Sequence, residues 1–287
     1  WWQLDAVRTD LDANYVLTTD LDEETAGYDA VASPSANGGT GFAPIENTSS
    51  PFYGLFTGSF DGNGHTIADL TIDRPERSFV GLFGRIGFDG TVQHLALKNA
   101  TVTGTTAVDA STTGAGSLAG YNAGTITHSD ATGTVQGADR VGGLVGTAFR
   151  GTVSESYARV RVDGTDRVGG LVGYHFDGTV RDSYATGTVT GASRVAGLVG
   201  YLEDGVVHDS YAAGSVTATG SAVGGAVGAS NAGTVTDSYW DTTTTGQDSS
   251  AGGTGLTTAE LTGTAVTENT NLRFANTWTV RTGAPVS

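Results

Sequence analysis

The 287 residues contain no cysteine and no methionine, only five prolines, and a single lysine, Lys98. Without cysteine there is no disulfide framework and no thiol chemistry. Methionine is missing even at position 1, as expected of a mature or excised stretch from which a leader has been removed. No apolar run approaches the ~20 residues needed to span a bilayer, so an anchor would have to lie outside this chain. Positive charge is also scarce: 14 Lys and Arg stand against 30 Asp and Glu, a net charge of −16. Nucleic acid is a poor partner for such a chain, because binding it takes a basic footprint. Many carboxylates with almost no lysine predict a protein kept soluble in high salt, where self-repulsion is screened. An ordinary acidic secreted protein is the other reading.

Glycine is abundant, 45 residues in all, yet there is no collagen period. That combination indicates turns rather than disorder. The glycines belong to a repeat. Across residues 141–240 a pattern VGGLVG…GTV…SY…GTV recurs, starting at Val141, Val168, Val195 and Val223, in steps of 27, 27 and 28 residues. A fixed period of this length marks a stacked repeat architecture. Each unit has three short pieces, residues 168–174, 178–184 and 187–191 in the second. They are rich in Val, Thr and Tyr and bounded by Gly, Asp or Asn, which is strand chemistry with turn punctuation.

The expected fold is all-β: a three-sided parallel β-helix, or β-solenoid, of about seven coils with non-repeat caps at both ends. Equivalent residues should then stack in columns. Leu82, Leu118, Leu144, Leu171 and Leu198, ending in Ala226, form one. Val135, Val162, Val189 and Val216 form a second, and Tyr157, Tyr184, Tyr211 and Tyr239 a third. All three are expected inside the coil, since one turn cannot bury its own apolar face and must share it with its neighbours. Val145, Val172, Val199 and Val227 directly follow the Leu column. Two successive apolar columns require a bend that turns both inward, or else leave an apolar stripe outside; the bend is the preferred reading.

Read in order, residues 1–51 form an N-terminal cap, with helical spacing at Leu4, Val7 and Leu11, strand-like alternation over residues 15–22, and a loop over 23–50. Residues 52–240 form the solenoid, which needs capping because each end exposes a core and a strand edge. The first coil carries Asp61-Gly62-Asn63-Gly64, a tight turn, since Gly and Asn tolerate positive φ. A calcium loop would need further acidic ligands that are absent. Residues 103–114 are an insertion off one corner. Residues 241–287 form the C-terminal cap, with a helical turn at 257–261 and a last strand near Trp278 and Val280.

These GG-L-V-G units resemble the GLUG motif. The opening Leu11-Asp12-Ala13-Asn14-Tyr15-Val16-Leu17, then Phe60-Asp61-Gly62-Asn63-Gly64-His65-Thr66-Ile67, and Tyr239-Trp240-Asp241 with the Gly255-Leu256-Thr257-Thr258-Ala259 that follows resemble the flanks of such repeats. The resemblance implies a secreted or surface β-solenoid, as in filamentous-haemagglutinin-like adhesins, some secreted peptidases and haloarchaeal surface proteins. It implies no particular ligand.

Candidate chemistry sits in columns. Glu155, Asp182, Asp209 and Asp237 share one, each just before Ser-Tyr. Stacked carboxylates repel, so they need either backbone hydrogen bonds at a corner or cations such as calcium between them. The corner ladder is the preferred reading, and no cofactor is expected otherwise. Arg140, Arg167 and Arg194 form a second charged column, placed either to contact acidic glycans or a neighbouring subunit, or to pair with Asp139 and Asp166. Threonine columns as an ice-binding face are interrupted by Arg161 and Asp163. The histidines, His65, His94, His128, His175 and His208, fall at unlike repeat positions. No zinc-protease His-Glu-x-x-His or Gly-x-Ser-x-Gly elbow is present, and no catalytic residue is assigned. Asn47-Thr48-Ser49 and Asn99-Ala100-Thr101 are glycosylation sequons.

The functional expectation is a non-enzymatic extracellular or cell-surface solenoid, used in attachment or in envelope or filament assembly. Its expected partners are surface or matrix glycans or proteins, or further copies of itself. The alternative is an accessory or catalytic β-helix of a secreted polysaccharide-degrading enzyme or peptidase, which a groove of clustered acids would favour.

Overall fold

The computed structural model describes residues 1–47, 54–105 and 113–272. The chain coils into a parallel β-solenoid, and every strand pair on it is parallel. In the fourth complete turn the strands are Asp166–Gly169, Val172–Phe176, Thr179–Arg181, and Tyr184–Ala185 with Val189–Gly191. Their counterparts in other turns build four ladders, called I to IV in that order. Six turns, from Phe79 to Asp241, contribute to all four ladders, and an incomplete first turn adds Ser59–Asp61, Thr66–Ala68 and Thr71–Asp73. The three sequence pieces are therefore redistributed. The first splits between ladders I and II, the second turns a corner into ladder IV, and the third completes ladder IV.

That first split is the bend between successive apolar columns. Gly170 and Leu171 lie between the ladder I and ladder II strands, and both Leu171 and Val172 are fully buried. The pattern repeats at Leu144 and Val145 and at Leu198 and Val199. Leu columns stack directly: Leu144 N donates to Leu171 O at 3.0 Å, and Leu171 N to Leu198 O at 3.0 Å. Glycine is required at the bend because successive turns meet backbone to backbone. A Cβ on Gly170 would sit 2.1 Å from the Gly197 carbonyl oxygen, and one on Gly143 equally close to that of Gly170. Buried Val135, Val162, Val189 and Val216 line ladder IV from inside.

In the regular turns three residues adopt left-handed backbone: Arg140, Arg150 and Glu155, then Arg167, Asp177 and Asp182, then Arg194, Asp204 and Asp209. Left-handed conformation costs an L-residue roughly 1–2 kcal/mol, least for Asn and Asp, so these positions mark where the coil must turn.

The tyrosine column is a correction. On ladder IV, Ala158, Val160 and Val162 are fully buried, while Tyr157 shares its strand face with the exposed Arg159 and Arg161. Side chains alternate along a strand, so the tyrosines point outward. They are covered by the returning C-terminal segment: Tyr184, Tyr211 and Tyr239 form a second hydrophobic cluster with Leu261, Val266 and Leu272, separate from the lumen.

The caps are partly built from the same ladders. Helix Trp2–Ala6 and the 3-10 turn Val7–Thr9 bury Leu4 and Val7, and Asn14–Val16 adds a rung to ladder III below Ser59–Asp61. The expected loop contains two short helical turns, Tyr28–Val31 and Ala36–Gly39. At the far end Asp241 caps the helix Thr242–Thr245, its Oδ1 accepting from the backbone of Thr243 and Thr244, and Thr254–Leu256 closes ladder IV. The expected helical turn at residues 257–261 forms, with Leu261 N donating to Thr257 O at 3.1 Å. The strand expected near Trp278 and Val280, and most of the insertion, lie outside the described residues.

Candidate functional site

The acidic column occupies the corner between ladders III and IV. Glu155, Asp182, Asp209 and Asp237 are all left-handed, with φ of 49°, 51°, 50° and 44°. The next residue is serine in each case, and these serines are buried. Each seryl Oγ donates two residues back, as Ser183 does to Arg181 O at 2.8 Å, and accepts from the turn below, as from Ser156 N at 3.3 Å. The motif thus serves as a corner staple. The carboxylates find donors of their own. Glu155 pairs with His128 Nε2 at 2.8 Å, Asp182 with Arg181 at 2.8 Å, Asp209 with His208 at 2.9 Å, and Asp237 accepts from Asn271 Nδ2 at 2.7 Å. Among the described residues no three His, Asp or Glu side chains converge as a metal ion requires. The Asp61-Gly62-Asn63-Gly64 turn forms: Asn63 N donates to Asp61 Oδ1 at 2.8 Å, with Asn63 at φ 52° and Gly64 at φ 79°. Bonds from Gln93 first, then Asn63, hold the Asp61 carboxyl below the usual range.

The histidines are not all at unlike positions. His94 and His128 belong to the same corner column, their rings 5.1 Å apart. Irregular spacing in the early turns hides this in the sequence. His175 lies elsewhere, inside the lumen between Ala148 and Leu202, fully buried. Neither ring nitrogen makes a hydrogen bond of good geometry, though the backbone of Gly178 and Val206 lies close to them. Burial pulls its pKa down to about 4, although the nearby backbone of Gly178 and Val206 offsets part of that cost.

The arginine column pairs inward. Arg167 forks onto Asp139 and Arg194 onto Asp166, each with an Nε–Oδ1 distance of 2.7 Å and a second, shorter bond from Nη2. Asp139 is fully buried at its side chain. Their guanidinium groups also cover aromatic rings, Arg140 and Arg167 over Tyr174 and Arg194 over Tyr201. Such bidentate, stacked arginine is held by geometry as well as charge. These arginines are therefore occupied along the rod. The aromatic rings beside them stack on each other, Phe149 on Phe176 and Tyr174 on Tyr201.

Ladder IV presents a different surface. In its first three complete turns the outer-face residues Lys98, Arg159 and Arg161 are exposed, with only Tyr157 packed against the cluster that the described C-terminal residues cover. A bulge sets Lys98 and Asn99 opposite the single residue Thr132, which in turn pairs with Arg159. Asn99 sits at φ 55°, is exposed, and hydrogen-bonds Asp69 at 3.2 Å. Asn47 is also exposed, but the rest of its sequon lies outside the described residues. Beside Arg159, the Tyr157 ring stacks on Tyr184 at 4.7 Å, and its hydroxyl faces Asp130. Burial, then the Asp130 charge, pushes Tyr157 up to about 12. Burial also raises Asp130, against the pull of Tyr157, Lys98 and Arg159. Only composition betrayed this patch, through the rarity of cations.

Residues 164–190 and 191–217 each match the GLUG motif family. Over 132 residues, 46% of this chain, the sequence is 42% identical to Halomucin of Haloquadratum walsbyi, and 35% identical over 89 residues, or 31%, to a candidate Gly-rich membrane protein of Evansella cellulosilytica. The matched stretches span 1% and 9% of those relatives. A solved structure of a candidate immunoglobulin A1 protease from Bacteroides ovatus has the same fold, with a TM-score of 0.69 and 22% identity over 96% of this chain and 86% of that one. The chain is thus a β-solenoid that carries two matches to the GLUG motif and is similar over 132 residues to Halomucin.

Proposed function

We propose that this solenoid is a non-enzymatic element of an extracellular or cell-surface protein, a stiff rod that holds a recognition face in attachment or envelope assembly. The observation that carries the reading is how the polar columns are used. The corner acids, the buried serines and the Asp–Arg pairs bond to the turn above or below, to an adjacent residue or, for Asp237, to the returning C-terminal segment. Such chemistry strengthens stacking rather than gathering reactive groups round a substrate. Similarity to Halomucin, and to a protein named for a membrane, supports a place at the cell surface. No helix among the described residues is long and apolar enough to cross a membrane. The exposed sequon at Asn99 is a proposed glycan acceptor on this outer surface.

The test is binding of the 287-residue chain to isolated halophile envelopes in multimolar salt, run beside digestion assays with immunoglobulin A1 and polysaccharides. Saturable binding without turnover is expected. Turnover by the purified chain would overturn the reading in favour of a hydrolase.

A further inference from the structure

The open part of ladder IV departs from the rest of the molecule in its charge. Three of the described arginine and lysine side chains pair with no carboxylate: Arg74, Lys98 and Arg159. Arg74 is accounted for by the Gly41 carbonyl at 2.9 Å. Lys98 and Arg159 are both exposed, stand on the same outer face and flank the same carboxyl, Asp130. Neither makes a salt bridge, and Arg159 is steadied by neutral groups only, donating to the Tyr184 hydroxyl at 3.4 Å and covering the Tyr157 ring; in a chain with 30 acids, two such cations sharing one nearby carboxyl form a local basic patch. Arg161 extends the row from the same strand and is 64% exposed at its side chain, held only by its local partner Asp163.

The surroundings specify the anion's other chemistry. Thr132 and Thr134 lie between the cations, and a shallow groove lined by Thr103, Gln136, Asp163 and Thr165 continues the face. These groups donate and accept hydrogen bonds, and none offers an apolar slot for a peptide side chain. Lys98 and Arg159 stand two rungs apart with Thr132 on the rung between them, a rung being about 4.8 Å, and Arg161 stands on the same rung as Arg159. The Tyr157 ring adds an aromatic edge beside the cations.

We propose that the outer face of ladder IV, centred on Lys98, Arg159 and Arg161, binds a carboxylated polysaccharide laid along the rod axis. This deepens the attachment reading above and rests on it. It also moves anion recognition away from Arg140, Arg167 and Arg194, which Asp139, Asp166 and the tyrosine rings occupy. Uronate carboxylates spaced along the axis would meet Lys98 and, two rungs on, Arg159 and Arg161, and the sugar hydroxyls would meet the Thr and Gln side chains.

The experiment titrates the full 287-residue chain, produced without N-glycosylation because Asn99 adjoins the site, with polygalacturonate, neutral dextran and poly-glutamate. It is run at low and at multimolar salt, with envelope binding measured in parallel. Polygalacturonate should bind saturably and dextran should not. Affinity should weaken with salt as screening grows but not vanish, because contact pairs and hydrogen bonds persist. The double variant Lys98→Gln/Arg159→Gln should lose about tenfold in affinity, equivalent to about 1.4 kcal/mol. Arg150→Gln, at a corner elsewhere on the rod, should bind like the parent. Equal loss in both variants, retained binding in the double variant, or poly-glutamate binding as tightly as polygalacturonate would each overturn the proposal. Envelope binding that survives the double variant would sink this site while leaving the attachment function standing; no envelope binding by the parent would sink the function itself.

Discussion

Replacing His175 with leucine isolates one buried ionisable group. The ring sits in the lumen with Leu202 in the turn above and Ala148 in the turn below, and neither nitrogen makes a hydrogen bond of good geometry. In the unfolded chain a histidine takes up its proton near 6.5; here burial holds it off until about 4. Between those values the unfolded state binds more protons, so stability rises with pH across this window. The stabilising contribution is complete above the unfolded value and is lost as pH falls towards 4. A separation of this size corresponds to roughly 3 kcal/mol. His175→Leu removes the ionisable group, so the variant should gain about that much on the parent between pH 7 and pH 4. At pH 7 two opposing effects meet. Removing buried nitrogens without good hydrogen bonds favours the variant by about 1–3 kcal/mol, and a branched side chain pressed against Gly205 costs a similar amount. The decisive readout is therefore the pH dependence of the difference, from denaturant unfolding of both proteins at pH 7, 5.5 and 4 in constant salt. A difference that stays flat over that range would refute the reasoning.

Ser183→Ala should destabilise by about 1–2 kcal/mol, because it removes an Oγ that bonds both Arg181 O and Ser156 N in a fully buried corner; thermal unfolding checks it. Asp139→Ala strands Arg167, whose side chain is only 19% exposed, and should cost about 3 kcal/mol or more, against a near-neutral result for Asp177→Asn, which removes the charge of an exposed pair and keeps a residue that tolerates left-handed backbone. Gly170→Ala drives a Cβ into the Gly197 carbonyl and should cost at least as much as overpacking in a tight core, about 1–3 kcal/mol, with amide exchange rising first in the fourth and fifth turns. Because the corner acids already have donors, calcium and a chelator should give the same melting temperature; a calcium-dependent rise would restore the cation ladder.

Much of the architecture was legible in residues 141–240. Parallel stacking passes one register from turn to turn, so a 27-residue period directly names which Leu sits on which. The Gly-Gly bend was readable too, because two adjacent apolar columns have few other solutions. Less was legible at the corners. Whether a tyrosine points in or out depends on how the backbone leaves the left-handed Asp before it, and a single such residue changes the alternation of the strand that follows. His94 and His128 escaped notice because the step between them is 34 residues rather than 27, which shifts equivalent positions out of phase in the sequence.

The uncovered basic patch was beyond the sequence for another reason. Which cations lack a carboxylate depends on neighbours one turn away and on where the C-terminal segment returns, and both are long-range facts. Sequence by itself determined the repeat, the stacking partners and the surplus of acid, since these follow from local pattern and composition. Only the tertiary structure decided which columns face the lumen, which arginines are tied up by aspartates, and which part of ladder IV stays open, because burial and pairing are set by side-chain direction and by contacts between residues far apart in the chain.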